Sequence, residues 1–382
     1  MKKYTIPVVK ILEKNIRKER KYVYEISGNL LIKKKEILYF YIKSCYTATV
    51  EIQCDNAVTR YKIKNMTDTN MLLTITIVIF FLMYIGAIVF QGEGFLRPQT
   101  FLSMLNANGA LIITSCGMSL VMITGGIDIS VGGVVALVSM CSAVYLDYHN
   151  GSILGAVLIS LGIGLAFGIV QGYLVAYLDI QPFIVSLAGM FFARGMTTIV
   201  NTNPFNVQNE AFVALKDTRV IVPGLGSVNK LGRYVDAYVE IGVVVALLVV
   251  ILMFIMLRWT KLGRSFYAVG GNQQSALMLG INVRRTKFLS HLICSLLAGI
   301  GGFVYFLHVG SGSASHAMGM EMNAIASSII GGTMLTGGVG NIIGTLFGVL
   351  SLSTIQNMEY LLDAPQSIHT NQKLHINSAA GY

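Results

Sequence analysis

Five intervals of this chain, residues 69–92, 98–127, 148–178, 288–320 and 322–358, contain no Asp, Glu, Lys or Arg. A helix needs ~20 mostly apolar residues to cross the hydrocarbon core of a bilayer, and each interval is long enough. Lipid offers the backbone no hydrogen-bond partners, so apolar runs of this kind fold as helices that satisfy their own N–H and C=O groups. A soluble globule would have to hide all five runs at once, and only 12% of the 382 residues are charged. The fold class is therefore all-α, a polytopic transmembrane helix bundle.

The apolar runs place nine spans, at about 71–90, 101–124, 129–146, 153–177, 182–200, 239–257, 288–309, 317–330 and 342–355. They divide the chain into a basic extension (1–67), a transmembrane domain (68–357) and a polar tail (358–382). The net charge of +10 belongs to the extension: up to Lys64 there are fifteen Lys or Arg against six Asp or Glu. A basic tail beside a first span marks the cytoplasmic side and anionic lipid, not a nucleic-acid surface. With that tail inside, the loop after the sixth span is also inside. It carries Arg258, Lys261, Arg264, Arg284, Arg285 and Lys287 and no acid, as the positive-inside rule requires. Five scattered cysteines have no metal-ligand spacing, and neither HExxH nor GxSxG is present.

Two glycine-rich breaks echo each other. TGGIDISVGGVVAL (124–137) and TGGVGNIIGTLFGV (336–349) both open on TGG after an apolar run, and each has a further glycine eight positions on, Gly132 and Gly344. Both join two spans on the expected cytoplasmic side, a pattern compatible with a parallel internal repeat. A carboxylate such as Asp128 is costly at mid-bilayer, so a loop or water-lined place is expected for it. Its two open roles are capping the helix that follows, with help from Ser130, and contact with a solute. The surrounding glycines favour a gate hinge of Gly125, Gly126, Asp128, Ser130, Gly132, Gly337 and Gly338.

Four ordered segments resemble the permease subunits of bacterial ATP-binding-cassette sugar importers of the ribose, xylose and galactofuranose group. They are NANGALIITSCGMSLVMITGGIDISVGGVVAL (106–137), QPFIVSLAGMFFARG (181–195), YAVGGNQQSALMLGINVRRTK (267–287) and AIASSIIGGTMLTGGVGNIIGTLFGVLSLSTIQN (324–357). The resemblance implies a translocation subunit working with an ATPase subunit, a periplasmic sugar-binding protein and a second permease chain, in a homo- or heterodimer within inner-membrane lipid. No nucleic-acid partner and no cofactor are expected. The sequence has no GxxxxGK[ST] phosphate loop, so the chain is read as a non-enzyme, with ATP bound by the partner.

The same resemblance matches Gln274–Gly280 to the E-A-A-x-x-x-G pattern of importer coupling loops. Ala276 and Gly280 fit, while Gln274 replaces the acid and Ser275 the first Ala. Coupling is therefore expected at Gly271, Asn272, Gln274, Ser275, Ala276, Gly280, Arg284 and Arg285. A sugar path needs hydroxyl-matching groups and aromatic faces; Asn106, Asn108, Gln171, Phe191 and Phe192 are the candidates, with Ser119 and Asn323 as further hydrogen-bonding groups. Arg194 is expected to snorkel to an interface. The chain departs from the family pattern in its first 65 residues and after STIQNM. There a polar tail stands where a further span is expected, so a natural variant and a shortened or frame-shifted product are both open. The rival reading is an ion-coupled secondary transporter, for which Asp128 and Glu321 are the few candidate coupling carboxylates.

Overall fold

The computed structural model describes residues 68–91, 97–228 and 234–363. The expected basic extension, 1–67, and residues 364–382 of the expected tail lie outside them.

The described chain runs α1 (Asp68–Gln91), α2 (Pro98–Ile123), α3 (Val131–Asp147), α4 (Ile153–Ala176) and α5 (Pro182–Val200), then β1 (Phe205–Asn206), α6 (Glu210–Lys216), β2 (Arg219–Val228) and β3 (Tyr234–Glu240). It continues through α7 (Ile241–Trp259), α8 (Lys261–Gly271), α9 (Gln273–Met278), α10 (Val283–Val309), β4 (Ser311–Gly312), α11 (Met320–Ile330) and α12 (Ile342–Asp363). Among the described residues six helices, α1, α2, α4, α5, α7 and α10, are long and apolar enough to cross a membrane, and α3 and α12 contribute shorter apolar stretches.

One expected span is corrected. The eighth run does not cross: α11 has 11 residues, a rise of about 16 Å against a hydrocarbon core of about 30 Å. Two left-handed residues precede it, Ala317 (φ 52°) and Gly319 (φ 78°), and Gly332 (φ 86°) follows it. Hydropathy averaged over a window cannot see such breaks. The polar stretch after α5 is also richer than expected. It forms a β2–β3 hairpin, and β1 pairs antiparallel with β4, Phe205 opposite Gly312.

Burial sorts the helices. In α2, 89% of the span window is buried, against 22% in α4 and in α5, so α2 is the central post. Helix α10 packs on α4, α2 and α3. Its closest partner is α4, because Gly164, Gly168 and Gly172 form a stripe on one helix face. A Cβ at Gly164 would lie 2.7 Å from the Ser295 carbonyl oxygen, and one at Gly168 2.9 Å from the Leu292 Cα. Without a hydrophobic force between helices in lipid, such close approach supplies the dispersion that holds them together. At one end of the bundle lie the strands, with the Phe212 and Phe306 rings stacked at 4.4 Å. At the other lie the basic loop, 258–287, and both TGG turns.

The stripe makes a prediction. Gly168→Leu forces α4 from α10 and costs about 1–3 kcal/mol, whereas Gly162→Leu, which meets nothing within 4 Å, is near neutral. Thermal unfolding in detergent reads the difference.

Candidate functional site: a glycine junction and an open pocket

Three chain segments meet at the basic end with almost no side chain between them. The first TGG turn gives Gly125 and Gly126, the end of α8 gives Gly270 and Gly271, and the second TGG turn gives Gly337 and Gly338. The Gly338 N–H donates to the Ile123 carbonyl at 2.8 Å. A Cβ on Gly270 would stand 1.8 Å from that carbonyl oxygen and 2.5 Å from the Gly338 nitrogen. One on Gly337 would lie 2.8 Å from the Gly270 oxygen and 3.1 Å from the Gly125 Cα. Gly125, Gly337 and Gly338 also hold φ of 84°, 85° and 77°, which other residues adopt only with strain. Tyr267 locks the contact by donating to the Gly340 carbonyl at 2.8 Å. Burial pushes its phenol up to about 12, so it stays a donor throughout the physiological pH range. The two echoing turns thus touch each other and the basic loop.

The rest of the expected hinge lies just inside. Asp128 lies in the loop between α2 and α3, as expected, and is fully buried there. Its Oδ1 accepts from the Ser130 N–H (3.0 Å) and hydroxyl (2.6 Å), while Oδ2 has no hydrogen bond. The capping is a local turn onto Ser130, which precedes α3, and not a bond to the free N–H groups within the helix. Gln171 Nε2 donates to the Ser130 hydroxyl at 3.0 Å, and His291 and Cys294 of α10 are the carboxylate's electrostatic neighbours. Gly132 serves another contact: a Cβ there would fall 1.9 Å from Glu321 Oε2.

The expected coupling segment forms α9, a single exposed turn. Asn272 caps it by accepting from the Ser275 N–H at 2.9 Å, and Gly280 (φ 78°) ends it. The Ile281 N–H returns to the Ala276 carbonyl at 3.0 Å, the pattern of a glycine-terminated helix. Gly271, Asn272, Gln274, Ser275, Gly280, Arg284 and Arg285 are exposed. Ala276 is not: at 1% exposure it packs inward and anchors the turn. What projects instead is Leu277 (65%), Met278 (87%) and Leu279 (78%). Sequence reasoning missed this tip, although three apolar residues in a polar loop were the available signal.

Toward the hairpin end, an open pocket of about 330 Å³ is lined by Asn108 and Leu111 of α2, Tyr305 of α10, and Ser315, Ala317, Met318, Met320 and Asn323 around the start of α11, with Ser315 and Met318 exposed. Small-molecule pockets begin near this size, at roughly 300 Å³. Of the expected path only Asn108 reaches it, joined by Asn323. The Asn108 Nδ2 donates to the Met104 carbonyl and the Ser353 hydroxyl at 2.8 Å each, which leaves its Oδ1 for the pocket's chemistry. The other candidates are corrected. Asn106 ties α2 to the hairpin end, accepting from the Glu240 N–H at 3.0 Å. Gln171 is spent on Ser130. Phe191 (64% exposed) and Phe192 (62%) project from the outside of the bundle. Ser119 is engaged with Thr345 (2.6 Å) and Ser328 (3.0 Å), binding α2 to α11 and α12.

A family model described as the permease component of a branched-chain amino acid transport system matches residues 100–373, which spans the junction, the coupling turn and the cavity. The chain belongs to this permease family. Among curated relatives, the permease is 36% identical over 291 residues to the inner membrane ABC transporter permease protein YjfF of Escherichia coli K12, covering 76% of this chain and 84% of that one. It is 34% identical to the fructose import permease protein FruG of Bifidobacterium longum, over 75% and 83% of the two chains. To the ribose import permease protein RbsC of Escherichia coli K12 it is 32% identical, over 72% and 82%. No solved structure matches. The permease is accordingly a multi-pass inner-membrane protein.

The junction makes a prediction of its own. Gly337→Ala meets both a backbone clash and a left-handed φ and destabilises by more than about 1 kcal/mol, while Gly280→Ala, strained but in open space, costs about 1 kcal/mol or less. Denaturation of the two purified variants ranks them.

Proposed function

We propose that the permease is the translocation subunit of an ATP-binding-cassette importer that carries a neutral monosaccharide of the ribose or galactofuranose kind. The observation that carries this reading is the pocket lining: two amides, hydroxyls and one aromatic ring among apolar side chains, with no charged side chain. An amino acid would bring an ammonium and a carboxylate to a lining that offers no counter-charge to either. A sugar brings hydroxyls, which Asn108, Ser315 and Asn323 match, and C–H faces, which Tyr305 and Met318 accept. The names of the relatives that import ribose and fructose support the same class over the amino-acid wording of the family description.

The drive comes from a separate ATPase, since the sequence carries no phosphate loop; that subunit, and not this chain, binds ATP. Its dock is α9 on the cytoplasmic side, where the apolar tip Leu277–Leu279 enters a partner groove and Arg284 and Arg285 lie close by. A push on α9 reaches Gly270 and Gly271 directly and, through bare backbone, both TGG turns. These serve as the gate hinges, and Asp128 and Ser130 stiffen one of them. A periplasmic sugar-binding protein delivers the solute at the hairpin end, and a second permease chain completes the pathway. Ion coupling is the weaker reading, because both candidate carboxylates have structural partners, Asp128 in Ser130 and Glu321 in Arg194.

Leu277→Glu tests the dock. It leaves the thermal midpoint unchanged and removes co-purification of the cognate ATPase and at least about nine-tenths of sugar uptake, as expected for an interface anchor. Ala276→Asp buries a charge and lowers the thermal midpoint itself. Normal uptake by Leu277→Glu rejects the docking assignment.

A further inference from the structure

Arg194 does not snorkel. It lies midway along α5, where one guanidinium nitrogen donates to the His316 carbonyl and the other to the Ala317 carbonyl at 2.8 Å. The turn it grips is strained, since Ala317 holds φ 52° without being glycine, a conformation that persists only where its surroundings over-determine it. Glu321, in the first turn of α11, is its acidic neighbour, with Tyr305 beside them. One oxygen of Glu321 is buried without a hydrogen bond, and the missing Cβ of Gly132 makes room for it. The gripped turn is also the cavity wall: Ala317, Met318 and Met320 all line it.

We propose that Arg194 is a positioning residue for the sugar cavity, acting through the His316 and Ala317 carbonyls to hold the left-handed turn that carries the start of α11 into the lining, with Glu321 as its counter-charge. Charge-assisted hydrogen bonds in a low-dielectric interior are the strong kind, and here they fix backbone that cannot span the membrane as helix. The proposal rests on the reading of the cavity as the sugar's path, so the test has two arms.

The first arm needs no transport. Met320→Cys is a thiol 8% exposed in the intact turn, and its rate of maleimide labelling is compared with the same protein lacking that change. Arg194→Gln raises the rate about tenfold, Arg194→Lys less, and Ala317→Gly added to Arg194→Gln brings it back down, because glycine holds the turn without the clamp. The second arm uses the permease assembled with its ATPase and binding protein in vesicles, with D-ribose, D-fructose and D-galactose as probes. Arg194→Gln lowers sugar molecules imported per ATP hydrolysed about tenfold while ATP hydrolysis stays within about twofold. Unchanged labelling with an unchanged ratio overturns the proposal, as does a proportional fall in uptake and hydrolysis without a change in labelling. If the unaltered assembly imports none of the three sugars, the sugar reading fails, and the labelling arm still decides the role of Arg194. Where Arg194→Gln does not accumulate in the membrane, Arg194→Lys carries both arms.

Discussion

Backbone pressed on backbone at the junction of Gly125, Gly270, Gly271, Gly337 and Gly338 is the constraint on which the rest of this permease depends. A side chain conducts force poorly when it can change rotamer; a peptide plane has no rotamer to change. The Gly270 Cα sits so close to the Ile123 carbonyl that no Cβ fits, so displacement of the basic loop must move the end of α2 as well. That helix is the most buried of the spans and lines the cavity through Asn108 and Leu111. On the proposed function, the route from the dock at α9 to the pocket runs through the junction and α2.

Around this route the low-dielectric interior dictates where polar groups are placed. Several buried hydroxyls along it bond from one element to another: Ser119 to Thr345 and Ser328, Ser130 to Gln171, Thr124 to Ser290. These bonds specify which helices neighbour which, something that apolar packing in lipid does weakly. Among the described residues, buried polar atoms without a hydrogen bond lie within helices, as at Ser115, Ser142 and Ser295, and also beside the turns. Asp128 Oδ2 and His291 Nδ1 lie near one turn, and Glu321 Oε2 lies at the start of the half-helix.

Much of this architecture was legible in the residues. Charge-free intervals marked several of the spans because desolvated charge is so costly that composition alone exposes them, and α4 begins with its expected run at Ile153 and ends at Ala176. The TGG echo marked two turns that the fold brings into contact. What stayed hidden follows from short-range geometry. The left-handed φ of Ala317 carries no sequence signature, so α11 read as a full span. Phe191 and Phe192 read as path residues because aromatic character does not say which way a helix face turns. The buried side of Ala276 and the exposure of Leu277 were hidden for the same reason: on one helical turn a single residue separates the buried side from the exposed one. Arg194 was misread because the default for a charge in a span is escape to an interface, and the default fails when the partner is a strained carbonyl pair.

The central claim is that the basic loop and the TGG turns move as one body. Spin labels at Gln274 and Leu335, both exposed, in the assembled complex report their separation with and without ATP. The account predicts a separation constant within about 2 Å, the scale of a small helix shift, while the distance from Leu335 to a label at Leu154, near the hairpin end, changes with nucleotide. A Gln274–Leu335 separation that follows nucleotide while Leu335–Leu154 stays fixed would contradict it.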